Sequence, residues 1–239
     1  MNMNKFQGQV KILRLIEGAK EARGLTVIID VFRAFSLECC LYDMGAKEIR
    51  PVGSIEEAFA LHDALPGSVL IGERGGKKCD GFDFGNSPST VSGERLKGNI
   101  AIHTTSAGTQ GIVNALGAEE IITGSLVNAR AIAEYIKAKN PQEVSLVAMG
   151  TGGTRPNPED ELCALYIKSL LENAPLPDMA QRVADLRQHG GEHFFDPQRQ
   201  DVFPEGDFHF CVQYDRFPFV IRVERDELGF ITRKIPVLQ

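Results

Sequence analysis

Two pairs of oppositely charged residues stand just beyond short apolar runs in this chain. Leu25-Thr26-Val27-Ile28-Ile29 ends in Asp30, with Arg33 three residues later, and Ser68-Val69-Leu70-Ile71-Gly72 ends in Glu73-Arg74. Apolar, β-branched runs of this length read as strands covered on both faces, so each carboxylate sits at a strand's carboxyl end. In open α/β sheets that edge borders the crevice where ligands bind. A carboxylate there can hold a cation, and a guanidinium beside it can grip an oxyanion through two directed hydrogen bonds. The plainer reading of one such pair is a carboxylate that caps the following helix and an arginine that pairs with it. The recurrence of the arrangement favours a shared site.

Further strand ends carry chemistry of the same kind. Asn99–His103 reads as a strand and runs into Thr104-Thr105-Ser106-Ala107-Gly108-Thr109. Hydroxyls and a glycine at a strand-to-helix turn offer hydroxyl groups, backbone N–H groups and the positive end of a helix to an anion. The GxxxxGK[ST] spacing of a Walker A loop is absent, and a helix N-cap is the alternative role. His103 is a candidate general acid or a structural histidine. Residues 77–95 form a long irregular loop, of the kind that is often functional, pinned by Phe82 and Phe84, with Asn86-Ser87-Pro88 opening a helical turn. After a strand over Glu143–Met149 comes the glycine-rich turn Gly150–Thr154, which permits close approach of a ligand. Glu159-Asp160-Glu161 then opens a helix, where acids complement the dipole or face the crevice.

The elements that must position these groups alternate along the chain. Val10–Ile16 reads as an edge strand or as a hairpin partner of the next strand, Glu17–Gly24 as a polar connector, and Phe35–Met44 as a helix stopped by Gly45. Lys47–Val52 is a strand, and the capping box Ser54-Ile55-Glu56-Glu57 opens a helix to about Leu65. A helix over Gln110–Leu116, a strand over Glu120–Gly124, the turn Ser125–Asn128 and a helix over Ala129–Lys139 follow. Pro177–His189 has amphipathic helical spacing, Phe208–Tyr214 is short and aromatic, and Phe219–Ile235 reads as a hairpin around Asp226–Gly229. The pattern predicts a single α/β domain over residues 1–239, in one or two lobes: a three-layer α/β/α sandwich with a mostly parallel sheet and a C-terminal β-hairpin. That hairpin is expected to cover an open edge or to close over the site.

Composition sets the bounds. The 239 residues, 43% hydrophobic and 24% charged, suffice for a large core, and a net charge of −6 without a basic tract argues against nucleic-acid binding. Cys39, Cys40, Cys79, Cys163 and Cys211 lack CxxC spacing and read as reduced packing thiols. His189-Gly190-Gly191-Glu192-His193 lacks the HEXXH spacing of a helical zinc site. MNMNKFQGQVK has no apolar signal core and no run approaches ~18 apolar residues, so a soluble cytoplasmic protein without a membrane partner is expected.

The ordered motifs IDVFRA (29–34), GERGG (72–76), GFDFGNSP (81–88), HTTSAGT (103–109), GSLVNA (124–129), PEDELCA (158–164) and DFHFCVQYDRF (207–217), with a capping segment after PVGS, resemble the 2-phosphosulfolactate phosphatase family, which is linked to coenzyme M biosynthesis. The chain departs from the family pattern at FSLECC (35–40), usually richer in hydroxyls, and at Ser106-Ala107, where an asparagine is common. The resemblance implies a Mg2+-dependent hydrolase of a small phosphorylated acid, and a homo-oligomer is expected.

Phosphate monoesters hydrolyse slowly unless charge is neutralised and a water aligned. Asp30, Glu73 and an acid among Glu159, Asp160 and Glu161, with Asp160 and Glu161 preferred, are expected to offer oxygen ligands to Mg2+. Arg33 and Arg74, with Asp30 and Glu73, form the expected catalytic set. Asn86, Ser87, Thr104, Thr105, Ser106, Gly108, Thr109 and Asn128 are the expected substrate-binding set. A phosphatase for another phosphorylated hydroxy acid and a non-catalytic small-anion binder are the alternatives.

Overall fold

The computed structural model describes residues 6–237; the first five residues of the stretch read above for a signal core lie outside them. In chain order the elements are β1 (Gln9–Arg14), α1 (Leu15–Glu21), β2 (Gly24–Ile29), α2 (Ala34–Asp43), β3 (Glu48–Pro51), α3 (Ile55–Ala64), β4 (Val69–Arg74), β5 (Lys77–Lys78), α4 (Gly93–Leu96), β6 (Ile100–Thr104), α5 (Gly108–Asn114), β7 (Ala118–Gly124), α6 (Ala129–Lys139), β8 (Glu143–Ala148), α7 (Pro158–Leu171), α8 (Met179–Asp185), α9 (Glu205–Cys211), β9 (Phe219–Asp226) and β10 (Gly229–Pro236). The fold is α/β, and the described residues form ten strands in the order β1-β8-β2-β7-β9-β10-β3-β6-β4-β5.

The strand pattern explains the layers. Along β2, Leu25, Val27 and Ile29 pack with side chains of α6 and α7, whereas Ile28 packs on the other face with Ala19, Phe35 and Ile112. Along β4, Val69 and Ile71 join α2, and Leu70 joins Ala58 and Leu61 of α3. The period-2 alternation of a strand thus sets a helix on each face. Helix α2 is buried on nearly all sides. Its Glu38 reaches Thr123 on β7 and His103 on β6, so the two parallel halves of the sheet meet the same helix.

The C-terminal hairpin forms as expected but lies elsewhere. β9 pairs antiparallel with β7, and β10 with β3, so the hairpin joins the two parallel halves in mid-sheet instead of covering an edge or closing over a site. The reason is burial on both faces. Val220 enters one core, while Ile221 and Val223 enter those on the opposite side.

β1 is an edge strand beside β8, with β8 between it and β2. The expected polar connector after it is mostly helix α1, because Ala19 and Ala22 are buried. The helix read over 177–189 is confined to α8, and the aromatic stretch at 208–214 belongs mainly to α9, where Phe208 and Cys211 share the buried side. Ser54 caps α3 as its capping box predicts, accepting the Glu57 N–H, while Glu57 reaches back to the Gly53 N–H.

Candidate active site

A cavity of about 540 Å³ opens at the carboxyl ends of β2, β4 and β8. Asp30, Glu73 and Glu159 contribute carboxylates to its wall, and Arg33, Arg155 and Arg199 contribute guanidiniums. Asn86, Ser106, His193, Phe32 and Phe203 also line it.

Asp30 leaves β2 where two helices begin, and the backbone N–H groups of Ala34 in α2 and Gly108 in α5 favour its ionised form while it faces the cavity. A Cβ at Gly108 would stand 2.9 Å from the Ala34 Cβ and 3.0 Å from Asp30 Oδ2, so glycine is what lets α5 approach. Burial, then Asp160 and Glu73, pushes the Asp30 carboxyl well above the usual carboxylate range. Glu73 ties two turns together: Oε1 accepts the Ser106 N–H at 2.7 Å, and Oε2 accepts the Gly76 N–H at 2.6 Å and the Ser106 hydroxyl at 3.2 Å.

The three acids at the start of α7 divide their tasks. Asp160 is fully buried behind the wall, and its oxygens accept the N–H groups of Val31 and Gly150, each at 2.8 Å. It thereby fastens the end of β2 to the end of β8; burial raises its carboxyl to about 6 against the pull of those N–H groups. Glu161 turns outward to Arg14. Glu159 is the one that lines the cavity, and its Oε2 is buried without a partner. Burial, with Asp160 and then Asp30 adding to it, pushes this carboxyl up to about 9.

The basic groups come from three elements. Arg33 is buried; its Nη1 donates to Val202 O at 2.8 Å and Asp207 Oδ2 at 3.2 Å, its Nη2 to Gly76 O at 2.9 Å, and it lies over the Phe203 ring. It thus pairs with Asp207 and not with Asp30. Arg155 closes the turn after β8, exchanging backbone hydrogen bonds with Thr151; Gly150 in that turn has φ +68, and a Cβ there would lie 2.3 Å from Arg155 O. Arg199 stacks on Phe203 at the mouth. His193 contacts the rings of Phe194 and Phe203, and burial together with Arg199 and Arg33 lowers its pKa to about 4, so it is neutral at pH 7.

Other residues singled out in the sequence stand behind this wall. Arg74 donates to Glu73 O at 2.7 Å and Thr104 Oγ1 at 2.9 Å, joining β4 to β6. Thr105 and Thr109 bond each other through hydroxyl and backbone. Ser87 donates to Asp207 Oδ1. Asn128 Oδ1 accepts the Ser125 N–H and closes a capping box over 126–128. His103 is fully buried between Glu38 and Asn86. Asp30, Arg33, Glu73, Asn86 and Ser106 are the residues of the expected sets that reach the cavity. Sequence reasoning missed Arg155, Arg199 and His193. Arg155 carried a usable signal, since it follows a glycine turn at a strand end just as Arg33 follows β2. Arg199 lies in a turn-rich stretch without one.

Among the described residues no group of three or more His, Cys, Asp or Glu side chains is arranged to hold a metal ion. Mg2+ asks for less, usually one or two carboxylates and several waters. The donors here are hard oxygens, and an unpartnered, buried Glu159 oxygen in the same wall as Asp30 and Glu73 would be surplus negative charge once ionised. These residues fit a hydrated Mg2+ better than the expected set, from which Asp160 and Glu161 are withdrawn by their backbone and Arg14 partners.

A family model described as 2-phosphosulpholactate phosphatase matches residues 11–226. A probable 2-phosphosulfolactate phosphatase of Bacillus subtilis is 33% identical over 215 residues, covering 88% of this chain and 92% of that protein. Proteins of the same description from Carboxydothermus hydrogenoformans and Thermotoga petrophila are 40% and 35% identical, covering 68% and 81% of this chain and 67% and 86% of their own lengths.

Proposed function

The chain belongs to the 2-phosphosulpholactate phosphatase family, and from that premise we propose that it is a Mg2+-dependent phosphoric monoester hydrolase. Its substrate is a small polyanionic hydroxy acid of the 2-phospho-3-sulfolactate type, cleaved by water to the free hydroxy acid and phosphate. The observation that carries this reading is the division of one cavity into a carboxylate wall of Asp30, Glu73 and Glu159 and a guanidinium wall of Arg33, Arg155 and Arg199.

Carboxylates alone would repel a phosphate ester. Asp30, Glu73 and Glu159 would hold the ion, which when bound supplies positive charge to the phosphoryl oxygens. The chain's own residues do the rest. Arg33, fixed by Val202, Asp207 and Gly76, presents a charge that costs no reorganisation when negative charge builds up in the transition state. Arg155 and Arg199 at the mouth orient the anionic groups that are not transferred. Phe32 and Phe203 cover part of the wall with apolar surface, excluding water and strengthening each charged contact. Ser106 adds a hydroxyl and is held by Glu73.

The test is a phosphate-release screen over small phosphorylated carboxylates and sulfonates, with and without Mg2+, on the parent and Asp30→Asn. Mg2+-dependent release with a preference for substrates bearing two further anionic groups is expected. Asp30→Asn should lose at least about a hundredfold while retaining its fold, since the amide keeps the shape and removes the charge. Binding of these acids without release would instead make the protein a small-anion binder.

A further inference from the structure

We infer that Leu15 is a positioning residue: held in the left-handed backbone region, it backs the glycine turn after β8 and so fixes Arg155 at the cavity mouth, where this arginine binds an anionic group of the substrate. The role of Arg155 rests on the phosphatase reading of the cavity. Leu15 opens α1 directly after β1, with φ +64. In that region a side chain crowds the following carbonyl, which makes a bulky residue there an outlier. Among the described residues the other positive-φ positions are twelve glycines and Asn140, Asn173, Asp178 and Asp215, types that adopt this conformation readily. A glycine would make the same turn from β1 into α1 without strain, so the leucine is explained by what its side chain touches. Core packing does not account for it, since Leu15 is half-buried and joins none of the hydrophobic clusters of the described residues.

What it touches is the glycine turn. A Cβ on Gly150 would lie 2.8 Å from Leu15 Cδ2, and a Cβ on Gly153 would lie 2.8 Å from both Ile16 Cγ1 and Ile16 Cδ1. The Ile16 N–H, one of the helix-start donors that no carbonyl of α1 can satisfy, donates to Gly153 O at 3.0 Å. Asp160 takes the Gly150 N–H, so the turn is held at its start by α7 and further along by the β1–α1 junction. It needs such support. Gly150, Gly152 and Gly153 all have positive φ, and a Cβ on Gly152 would meet only Thr154 Oγ1, at 3.9 Å, so the turn has little stiffness of its own. Thr151 and Arg155 pair across it, and Arg155 stands in the cavity wall beside Thr151 and Gly152. A guanidinium on a loose turn binds an anion weakly, because the turn must be ordered at each binding event; a prop orders it beforehand.

The experiment is a double-mutant cycle on steady-state phosphate release, with amide hydrogen exchange of the parent. Leu15→Gly removes the side chain and permits the same φ. It should raise KM about three- to tenfold, up to but not beyond the effect of Arg155→Gln, with kcat within about twofold of the parent. In the Arg155→Gln background it should do nothing more. Leu15→Met, which reaches the same space, should keep KM within about twofold. An unchanged KM in Leu15→Gly, or losses that multiply with those of Arg155→Gln, would overturn the inference and leave Leu15 as packing whose removal shows in the melting temperature alone. If Leu15→Gly fails to fold, the parent decides: 3-sulfolactate, which carries the groups that are not transferred, should slow exchange of the Ile16 amide about fivefold, and unchanged exchange overturns the inference. A parent that releases no phosphate from any substrate defeats the phosphatase reading alone. Affinity for 3-sulfolactate, read by calorimetry, then tests this one: weaker binding to Leu15→Gly than to the parent supports it, and equal affinity, or no binding to either, overturns it.

Discussion

Arginines in this cavity differ in what holds them, and their kinetic roles should differ accordingly. Arg33 spends its donors on two carbonyl oxygens and Asp207, so it is a fixed charge. Arg155 and Arg199 are exposed at the mouth and act on groups that stay unchanged through the reaction. Uniform binding of that kind appears in KM and leaves kcat alone. Arg155→Gln and Arg199→Gln are therefore each expected to raise KM about tenfold with kcat within about twofold of the parent, measured by steady-state phosphate release. A fall in kcat with KM unchanged would place either group on the transferring phosphoryl. Arg74 shows the limit of reading residue types: its guanidinium has the right chemistry at the right strand end, but Thr104 and the Glu73 carbonyl take it.

Helix α9 is short, yet it anchors two separated parts of the chain through one buried carboxylate. Asp207 accepts the Ser87 hydroxyl at 2.7 Å, the Ser89 N–H at 3.1 Å, the Ser89 hydroxyl at 2.6 Å and Arg33 Nη1 at 3.2 Å. It thus fixes the loop that carries Asn86 and the arginine that faces the cavity. Removing one partner of a buried ion pair leaves the other uncompensated and costs about 3–5 kcal/mol. Asp207→Ala should lose stability of that order in urea unfolding, with activity falling even where the protein remains folded. A loss below about 1 kcal/mol would mean that Arg33 and the two serines satisfy one another without it.

The whole molecule concentrates buried acid at the meeting of its two half-sheets, and its stability should record this as a pH dependence. Glu159 has a carboxyl raised to about 9, and Asp30 is also raised. Between its ordinary value near 4.5 and about 9 the folded state holds a proton that the unfolded state has released, so stability falls as pH rises through that window. His193, lowered to about 4, acts oppositely but only below about 6.5, where the unfolded state binds the extra proton. Above 6.5 the raised carboxylates lead, joined as pH nears 9 by the buried thiols of Cys39, Cys40, Cys163 and Cys211, which burial also pushes up. Metal-free protein is therefore expected to lose melting temperature steadily from pH 6.5 to 9. Added Mg2+ should raise the melting temperature more at pH 9 than at 6.5, because the ion takes the ionised form. A flat profile above 6.5, read by calorimetry with and without chelator, would remove the surplus-charge basis for placing the ion here.

Much of this was legible in the chain because it is local. Strand-helix alternation, the capping box at Ser54, the turn at Ser125–Asn128 and the hairpin at Phe219–Ile235 follow from periodicity and turn chemistry acting over a few residues, and Asp30 and Glu73 are marked by the apolar strands they terminate. The tertiary structure decided what depends on distant partners. Val220 and Ile221 advertise a strand buried on both faces but not the neighbours β7 and β3 that bury it. Adjacent acids at 159, 160 and 161 are equivalent in sequence, and only the helix phase, with Val31, Gly150 and Arg14 waiting on different sides, turns one to the cavity, one to the backbone and one to solvent. Arg199 and His193 reach the site because the chain after α8 folds back across it. No short-range preference encodes that path, since the contacts that stabilise it, Arg33 with Asp207 and Val202 among them, lie some 170 residues apart.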